Sequence, residues 1–259
     1  MTGIRAVLID IDGVLTVSWQ PLPGAVESLQ RLRAAGFSVA LLTNTTSRTR
    51  HSIASTLADV GFPVRADDIF TAPALTAAHL RQHYPDARCV LLNSGDITAD
   101  LGGLHLTAPD DPDADTVLVG GAGPEFDYAA LNNAFGLLQR GARLVAMHRN
   151  LYWRTDRGLQ LDTGAFLRGL EEAAGVEAEV IGKPAASFFR AALAALAVDA
   201  AEALMVGDDI QADVLAAQRL GIAGALVRTG KYSVETHLAA EGSPDHVLDS
   251  FADVPDLLS

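Results

Sequence analysis

The sequence predicts an α/β fold in which a smaller α/β domain is inserted into a doubly wound parallel sheet. Short apolar segments, such as the uninterrupted Ala6–Ile9 and Phe37–Leu42 with its single serine, are typical of strands buried on both faces of a parallel sheet. Segments with helical periodicity separate these apolar segments. At roughly 150 residues per domain, a chain of this length accommodates one large domain or two modest ones.

The first half of the sheet is predicted from a strand–helix–strand pattern. Residues Val26–Ala35 carry apolar side chains at helical spacing and end at Gly36, a residue typical of helix C-termini. The helix lies between the strands Ala6–Ile9 and Phe37–Leu42, so this part of the chain is predicted to be a βαβ unit.

The same alternation returns near the end of the sequence. The predicted elements are a helix at Ser187–Leu196, a strand at Ala203–Val206, a helix at Ile210–Leu220 that ends at Gly221, and a strand at Ala223–Val227. We therefore expect residues 1–72 and 183–259 to form one domain.

The segment between these halves, residues 73–182, is predicted to be the inserted domain. It repeats the α/β alternation, with strands at Val90–Leu92, Thr116–Val119 and Arg143–Ala146. His148 and Arg149 follow the last of these strands, where a contact with a substrate and a solvated strand end are both open interpretations.

Composition limits the classes of function. With 19 Lys and Arg against 32 Asp and Glu, the net charge is −13, so nucleic acid and anionic membrane surfaces are poor partners. No segment approaches the roughly 18 consecutive apolar residues of a membrane span, and the first residues do not resemble a signal peptide. The single cysteine, Cys89, excludes an intrachain disulfide framework and fits a small buried apolar residue. We expect a cytoplasmic protein.

Four polar motifs follow predicted strands, at the edge of an open α/β sheet where ligands bind. They are Asp10-Ile11-Asp12-Gly13-Val14, Thr43-Asn44-Thr45, Gly182-Lys183-Pro184, and Gly207-Asp208-Asp209 with Asp213. Each motif alone has an ordinary explanation as a turn or a helix cap. Their combination in this order favours one shared site.

The residue types in these motifs suit phosphoryl transfer. If Asp10, Asp12 and Asp208 converge, their mutual repulsion requires a cation, and such hard oxygen ligands suit Mg²⁺. Thr43 and the backbone N–H groups that follow it are expected to bind phosphate oxygens at a helix N-terminus, and Lys183 adds a positive charge. One carboxylate would then attack phosphorus to give an aspartyl phosphate, and a second would handle the proton of the leaving group.

On these motifs the sequence resembles the haloacid dehalogenase superfamily of phosphohydrolases over nearly its whole length. The resemblance implies that Asp10 is the nucleophile and Asp12 the general acid/base. It implies that Asp10, the backbone carbonyl of Asp12, and Asp208 hold Mg²⁺. The remaining matched residues would bind the phosphoryl group (Thr43, Asn44, Thr45 and Lys183) or support the site (Asp209 and Asp213, the latter orienting Lys183).

The position of the insertion specifies the branch. The insertion follows the second motif. This arrangement resembles the type-2-capped branch that includes 4-nitrophenyl phosphatase-like proteins. The segment Ala146–Trp153 is most similar to phospholysine phosphohistidine inorganic pyrophosphate phosphatase-like members. The resemblance implies a Rossmann-like core, a cap at residues 73–182 that sets substrate specificity, and a homodimer formed through the cap.

The sequence therefore predicts a Mg²⁺-dependent phosphatase for a small phosphorylated metabolite, whether a phosphomonoester, a pyrophosphate or a phosphoramidate. Asp12 and the absence of lysine in residues 73–182 disfavour a dehalogenase and a phosphonate hydrolase, respectively. The alternatives are a phosphomutase or another phosphotransferase on the same core, and a non-catalytic phosphate-binding protein.

Overall fold

The computed structural model describes residues 3–155 and 158–259. Its strands, in chain order, are β1 (Ala6–Asp10), β2 (Thr16–Val17), β3 (Gln20–Pro21), β4 (Ser38–Thr43), β5 (Ile69–Thr71), β6 (Arg88–Leu92), β7 (His105–Leu106), β8 (Thr116–Val119), β9 (Arg143–Ala146), β10 (Tyr152–Thr155), β11 (Gly158–Leu161), β12 (Glu179–Val180), β13 (Ala203–Gly207), β14 (Ala223–Val227) and β15 (His246–Leu248).

The α-helices are α1 (Ala25–Ala34), α2 (Arg50–Asp59), α3 (Ala72–His83), α4 (Tyr128–Gln139), α5 (Thr163–Ala174), α6 (Ala186–Leu196), α7 (Ala216–Gln218), α8 (Val234–Leu238) and α9 (Val254–Leu257). Short 3₁₀-helices lie at Ala66–Asp68, Thr98–Leu101, Ala200–Glu202 and Phe251–Asp253, and a π-helix lies at Ile210–Leu215.

The chain divides into two compact units. The first comprises Met1–Thr43, Arg50–Phe70 and Lys183–Ser259, and the second comprises Asn44–Thr49 and Thr71–Gly182. Each unit has its own cluster of buried apolar side chains. The short segment Asn44–Thr49 belongs to the second unit although it directly follows β4 of the first.

The sheet of the first unit confirms the predicted α/β fold class. Its six strands run in the order β15-β14-β13-β1-β4-β5, and β1 pairs in parallel with both β13 and β4. All five residues of β1 and of β13 are buried, which explains their unbroken apolar sequence. Because Asp10 is in register with Leu42, and Ile9 with Val206, these three strands end side by side.

The second unit is built on a parallel sheet of five strands, in the order β12-β9-β8-β6-β7. The strands predicted at Thr116–Val119 and Arg143–Ala146 have those bounds. An antiparallel hairpin of β10 and β11 lies in the same unit. Cys89 lies in β6 and is fully buried, as its apolar neighbours indicated.

Two local predictions were wrong. The helix predicted over Ile210–Leu220 is a π-helix followed by one short α-helical turn. The helix after β4 begins only at Arg50, so Thr43 does not lie at a helix N-terminus. Polar residues at caps and turns bond to the backbone and displace helix boundaries in ways that hydrophobic periodicity does not record. Within the described ranges, no helix is long and apolar enough to cross a membrane.

Candidate active site

Two carboxylates of the first unit lie at the ends of neighbouring strands. Asp10 is the last residue of β1, and Asp208 immediately follows β13. Both side chains are buried, with Asp10 6% and Asp208 2% exposed. The parallel pairing of β1 with β13 brings these carboxylates to the same edge of the sheet, where the sequence predicted a site.

Lys183 neutralises part of this charge. Its buried ammonium donates a hydrogen bond to Asp10 Oδ1 at 2.6 Å and another to the backbone carbonyl of Leu42 at 3.2 Å. It also lies 2.7 Å from Oδ1 of Asp213, a side chain that is 1% exposed. The lysine therefore bridges two carboxylates that are far apart in the sequence.

Asp10, Asp208 and Asp213 form a compact group of carboxylates. One oxygen from each lies within 4.8 Å of the others. Asp208 Oδ2 accepts a hydrogen bond from the backbone N–H of Lys231 at 2.7 Å, whereas Asp208 Oδ1 is buried with no hydrogen-bond partner among the residues that the structure describes. A buried carboxylate oxygen without a donor is costly unless a cation is bound beside it.

The pKa values indicate that this group carries more negative charge than the protein's own cations offset. Burial raises the pKa of Asp208, and the charges of Asp10 and Asp213 raise it further. Burial raises the pKa of Asp213 to about 7, although the ammonium of Lys183 opposes this shift. For Lys183, burial alone would lower the pKa, but the two neighbouring carboxylates outweigh it and the pKa is raised.

The π-helix positions Asp213. Asp209 precedes it as the N-cap, and its Oδ1 accepts hydrogen bonds from the N–H groups of Gln211 at 3.0 Å and Ala212 at 2.9 Å. The N–H of Asp209 donates in turn to Asp213 Oδ2 at 3.3 Å. A Cβ on Gly207 would lie 2.3 Å from the Cβ of Asp213, so this close approach requires glycine. Asp213 thus lies in the π-helix, held by the Asp209 N–H and packed against Gly207, with its Oδ1 2.7 Å from the Lys183 ammonium.

The other residues predicted for the site differ in their surroundings. Thr43 is buried at the last position of β4. Asp12 is exposed and forms an isolated bridge with Thr16 beyond the end of β1, and its carboxylate lies outside the group of three described above. Asn44 and Thr45 are partly buried and belong to the second unit.

The loop Thr229-Gly230-Lys231 also lies at this site, although it was not among the predicted motifs. It follows the end of β14, so the rule that selected the other motifs also applies to it. Lys231 contributes the backbone N–H that binds Asp208, and the residue as a whole is exposed. Its ammonium end lies in more enclosed surroundings, and this burial opposes its charge, but Asp10 and Asp208 outweigh the effect and raise the pKa of Lys231. Lys183 and Lys231 are the only lysines in the sequence.

In the second unit, His148 and Arg149 have defined structural partners. His148 is 2% exposed, which excludes a solvated strand end, and its Nε2 lies 3.5 Å from Thr46 Oγ1. Arg149 forms a two-point ion pair with Glu171, with N···O distances of 3.0 and 2.6 Å. The guanidinium of Arg149 is therefore already bound by a carboxylate of its own unit.

Comparison with known proteins places these features in a family. Residues 7–107 match the family described as haloacid dehalogenase-like hydrolase, and residues 180–254 match a second family described as HAD-hydrolase-like. The chain is 33% identical over 264 residues to the human phospholysine phosphohistidine inorganic pyrophosphate phosphatase, covering 100% of this chain and 95% of that protein.

Two solved structures extend the similarity to the fold. The p-nitrophenyl phosphatase from Archaeoglobus fulgidus has a TM-score of 0.91 at 28% identity and covers 98% of this chain and 99% of its own. A glycerol phosphate phosphatase from Mycobacterium tuberculosis in complex with magnesium has a TM-score of 0.88 at 27% identity, covering 99% of this chain and 79% of its own. The chain belongs to the haloacid dehalogenase-like hydrolase family, and it is an enzyme of the phosphatase type that these relatives represent.

Proposed function

We propose that this enzyme is a Mg²⁺-dependent phosphatase that hydrolyses a small phosphorylated metabolite through an aspartyl-phosphate intermediate. One observation carries the proposal: the buried carboxylate of Asp10 lies at a strand end, 2.6 Å from the Lys183 ammonium and grouped with Asp208. An ionised carboxylate beside a buried cation combines a nucleophile with a binding point for phosphate oxygens.

The donor set fits Mg²⁺. Asp208 Oδ1 is buried and unpartnered in the described part of the chain, and the group of carboxylates has an excess of negative charge. Asp10, Asp208 and the backbone carbonyl of Asp12 are the proposed ligands, whereas Asp213 is paired with Lys183 and orients it. When bound, Mg²⁺ would supply positive charge to the phosphoryl oxygens and relieve repulsion between them and Asp10. A solved relative that contains magnesium supports this choice of cation.

The chain's own residues then account for the reaction. A carboxylate oxygen of Asp10 attacks phosphorus while the bond from phosphorus to the leaving oxygen breaks, and Asp12 donates a proton to that oxygen. Asp12 next removes a proton from a water molecule, which attacks the phosphorus of the aspartyl phosphate and releases inorganic phosphate and free Asp10. Thr43, Asn44, Thr45 and Lys183 hold the phosphoryl oxygens during both steps.

The second unit is proposed as the cap that selects the leaving group, because side chains outside the phosphoryl site must distinguish one phosphorylated metabolite from another. The names of the relatives suggest substrates to test. One relative is a phosphatase of phospholysine, phosphohistidine and inorganic pyrophosphate, and another acts on p-nitrophenyl phosphate. A phosphomonoester is therefore the first class to test, and pyrophosphate the second.

The test is hydrolysis of 4-nitrophenyl phosphate and of pyrophosphate, each with Mg²⁺ and with EDTA. The variant Asp10→Asn removes the nucleophile while keeping the size of the side chain, and we expect it to lower turnover on the order of 10³-fold or more. Asp59→Asn is the matched control, because Asp59 is an exposed residue at the end of α2 in the same unit.

The outcomes distinguish the alternatives. Turnover that requires Mg²⁺, survives in Asp59→Asn and disappears in a folded Asp10→Asn supports the proposal. Near-normal turnover in Asp10→Asn refutes the assignment of the nucleophile. If the phosphoryl group of a sugar phosphate moves to another hydroxyl without release of phosphate, the enzyme is a phosphomutase. Phosphate binding without turnover of any phosphomonoester or pyrophosphate tested indicates a binding protein.

A further inference from the structure

The carboxylate of Asp208 is held from one side by backbone alone. Its Oδ2 accepts the hydrogen bond from the N–H of Lys231, which leaves Oδ1 as the oxygen without a partner within the described ranges. The orientation of Oδ1 therefore depends on how firmly the surrounding backbone holds Oδ2.

Two glycines from distant loops form this backbone cradle. Gly13 and Gly230 have φ values of +88° and +59°, and a Cβ on either would lie 2.0 Å from Asp208 Oδ2. The two backbones also approach each other closely, because a Cβ on Gly230 would lie 2.5 Å from the Cα of Gly13. The cradle keeps its shape only while these two loops stay together.

One side chain connects the loops. The hydroxyl of Thr229 donates a hydrogen bond to the backbone carbonyl of Gly13 across 216 positions of sequence. Thr229 is partly buried, and its hydroxyl hydrogen is given to the carbonyl of Gly13 and not to Asp208. Its hydroxyl thus acts on the cradle and not directly on the carboxylate.

We propose that Thr229 is a positioning residue for the metal site, because its hydrogen bond to Gly13 holds the glycine cradle that directs Asp208 Oδ1 towards the cation. This inference rests on the proposed function, since it assumes that Asp208 is a ligand of Mg²⁺. Groups that orient a metal ligand typically change metal affinity by about 10- to 100-fold when they are removed.

The experiment measures Mg²⁺ binding without substrate. The full-length protein, stripped with EDTA and dialysed, is titrated with MgCl₂. The half-saturating Mg²⁺ concentration is obtained by fitting the thermal stabilisation to RT ln(1 + [Mg²⁺]/Kd), and it is compared between variants. Thr229→Val removes the hydroxyl at nearly constant volume, Thr229→Ala is a second removal, and Thr229→Ser restores the hydroxyl. Thr236→Val is the matched control, because the Thr236 hydroxyl donates to the carbonyl of Ser233 on an exposed turn.

We expect the half-saturating Mg²⁺ concentration to rise about 10-fold in Thr229→Val and Thr229→Ala. Thr229→Ser keeps a hydroxyl at position 229, and Thr236→Val leaves Thr229 unchanged. The half-saturating Mg²⁺ concentration of both variants should therefore remain within about twofold of wild type. The rise in melting temperature of each variant is measured against the same variant without metal, so a general loss of stability does not mimic the effect.

Three results would overturn the inference. An unchanged Mg²⁺ midpoint in both removal variants, with wild type clearly stabilised by Mg²⁺, refutes the role of Thr229 and leaves the proposed function intact. No stabilisation of wild type by Mg²⁺ refutes the proposed metal site itself. Failure of both removal variants to fold, when Thr229→Ser folds, assigns Thr229 to the stability of the whole unit and not to the metal site.

Discussion

Replacing Gly13 by alanine tests the geometry of the Asp208 cradle, and Gly36 supplies a matched comparison. Both glycines have a φ of +88°, a conformation that costs an L-residue about 1–2 kcal/mol. At Gly36 the new Cβ meets nothing within 4 Å, whereas at Gly13 it would lie 2.0 Å from Asp208 Oδ2 and 2.8 Å from the Cα of Gly230. The two substitutions therefore share the backbone strain and differ in the collision.

The magnitude follows from these distances. Ordinary contact begins at 3.4 Å, so Asp208 Oδ2 or the Gly13 backbone must move by 3.4 − 2.0 = 1.4 Å. Displacements of this kind in a packed interior cost about 1–3 kcal/mol in addition to the strain. We expect Gly36→Ala to lower the free energy of unfolding by about 1–2 kcal/mol and Gly13→Ala to lower it by about 2–5 kcal/mol.

Urea unfolding in EDTA gives the free energy of unfolding of both variants. Hydrolysis of 4-nitrophenyl phosphate at increasing Mg²⁺ concentration gives the metal dependence of the site. Gly36→Ala should keep the metal dependence of wild type, because the Gly36 turn leads into β4 away from the carboxylates. Gly13→Ala should require more Mg²⁺ because Asp208 is displaced. Equal losses of stability in the two variants, with equal metal dependence, would refute the cradle.

Three further predictions concern individual side chains. Lys183→Met should lower the free energy of unfolding by about 3–5 kcal/mol at pH 8 in EDTA, since it leaves the partners of a buried ion pair uncompensated. The pKa of Asp213 is about 7 with the ammonium present and rises further without it. The free energy of unfolding of wild type should therefore stop falling near pH 7, whereas that of the variant should continue to fall above pH 7. Urea titrations that show the same difference between variant and wild type at pH 6 and at pH 8 would contradict this. Burial raises the pKa of Cys89 to about 11, so iodoacetamide at pH 8 should modify the thiol only after unfolding, as mass spectrometry would show. Because the unfolded thiol ionises first, near pH 9, Cys89 should also make stability fall between pH 9 and 11, which Cys89→Ala would abolish. Arg149→Met should cost about 1 kcal/mol through loss of the partly exposed pair with Glu171, with kcat for 4-nitrophenyl phosphate unchanged; a large fall in kcat would instead assign Arg149 to the substrate.

The sequence was most informative where burial controls residue type. Strands β1, β4 and β13 are buried throughout except at Ser38, the exposed first residue of β4, so each is a nearly continuous apolar segment. The polar residues at their carboxyl ends indicated the candidate site. Asp10 and Asp208 were predicted on this basis, and the structure brings them together with Lys183.

Other features depend on contacts that a single sequence does not reveal. The π-helix at Ile210–Leu215 begins after the Asp209 cap, and the hydrophobic pattern of Ile210–Leu220 does not distinguish it from an α-helix. The role of Thr229 depends on a loop more than two hundred residues away. The cytoplasmic location and the pairing of two chains through residues 73–182 stay predictions.

The small number of lysines allows a chemical label to be attached beside the candidate site. All other basic side chains outside histidine are arginine, so an acylating reagent for primary amines has targets only at Lys183, Lys231 and the amino terminus. Lys183 is buried among carboxylates, whereas Lys231 is an exposed residue as a whole. A fluorophore on Lys231 would therefore report directly on events beside Asp208, without the need to engineer a cysteine.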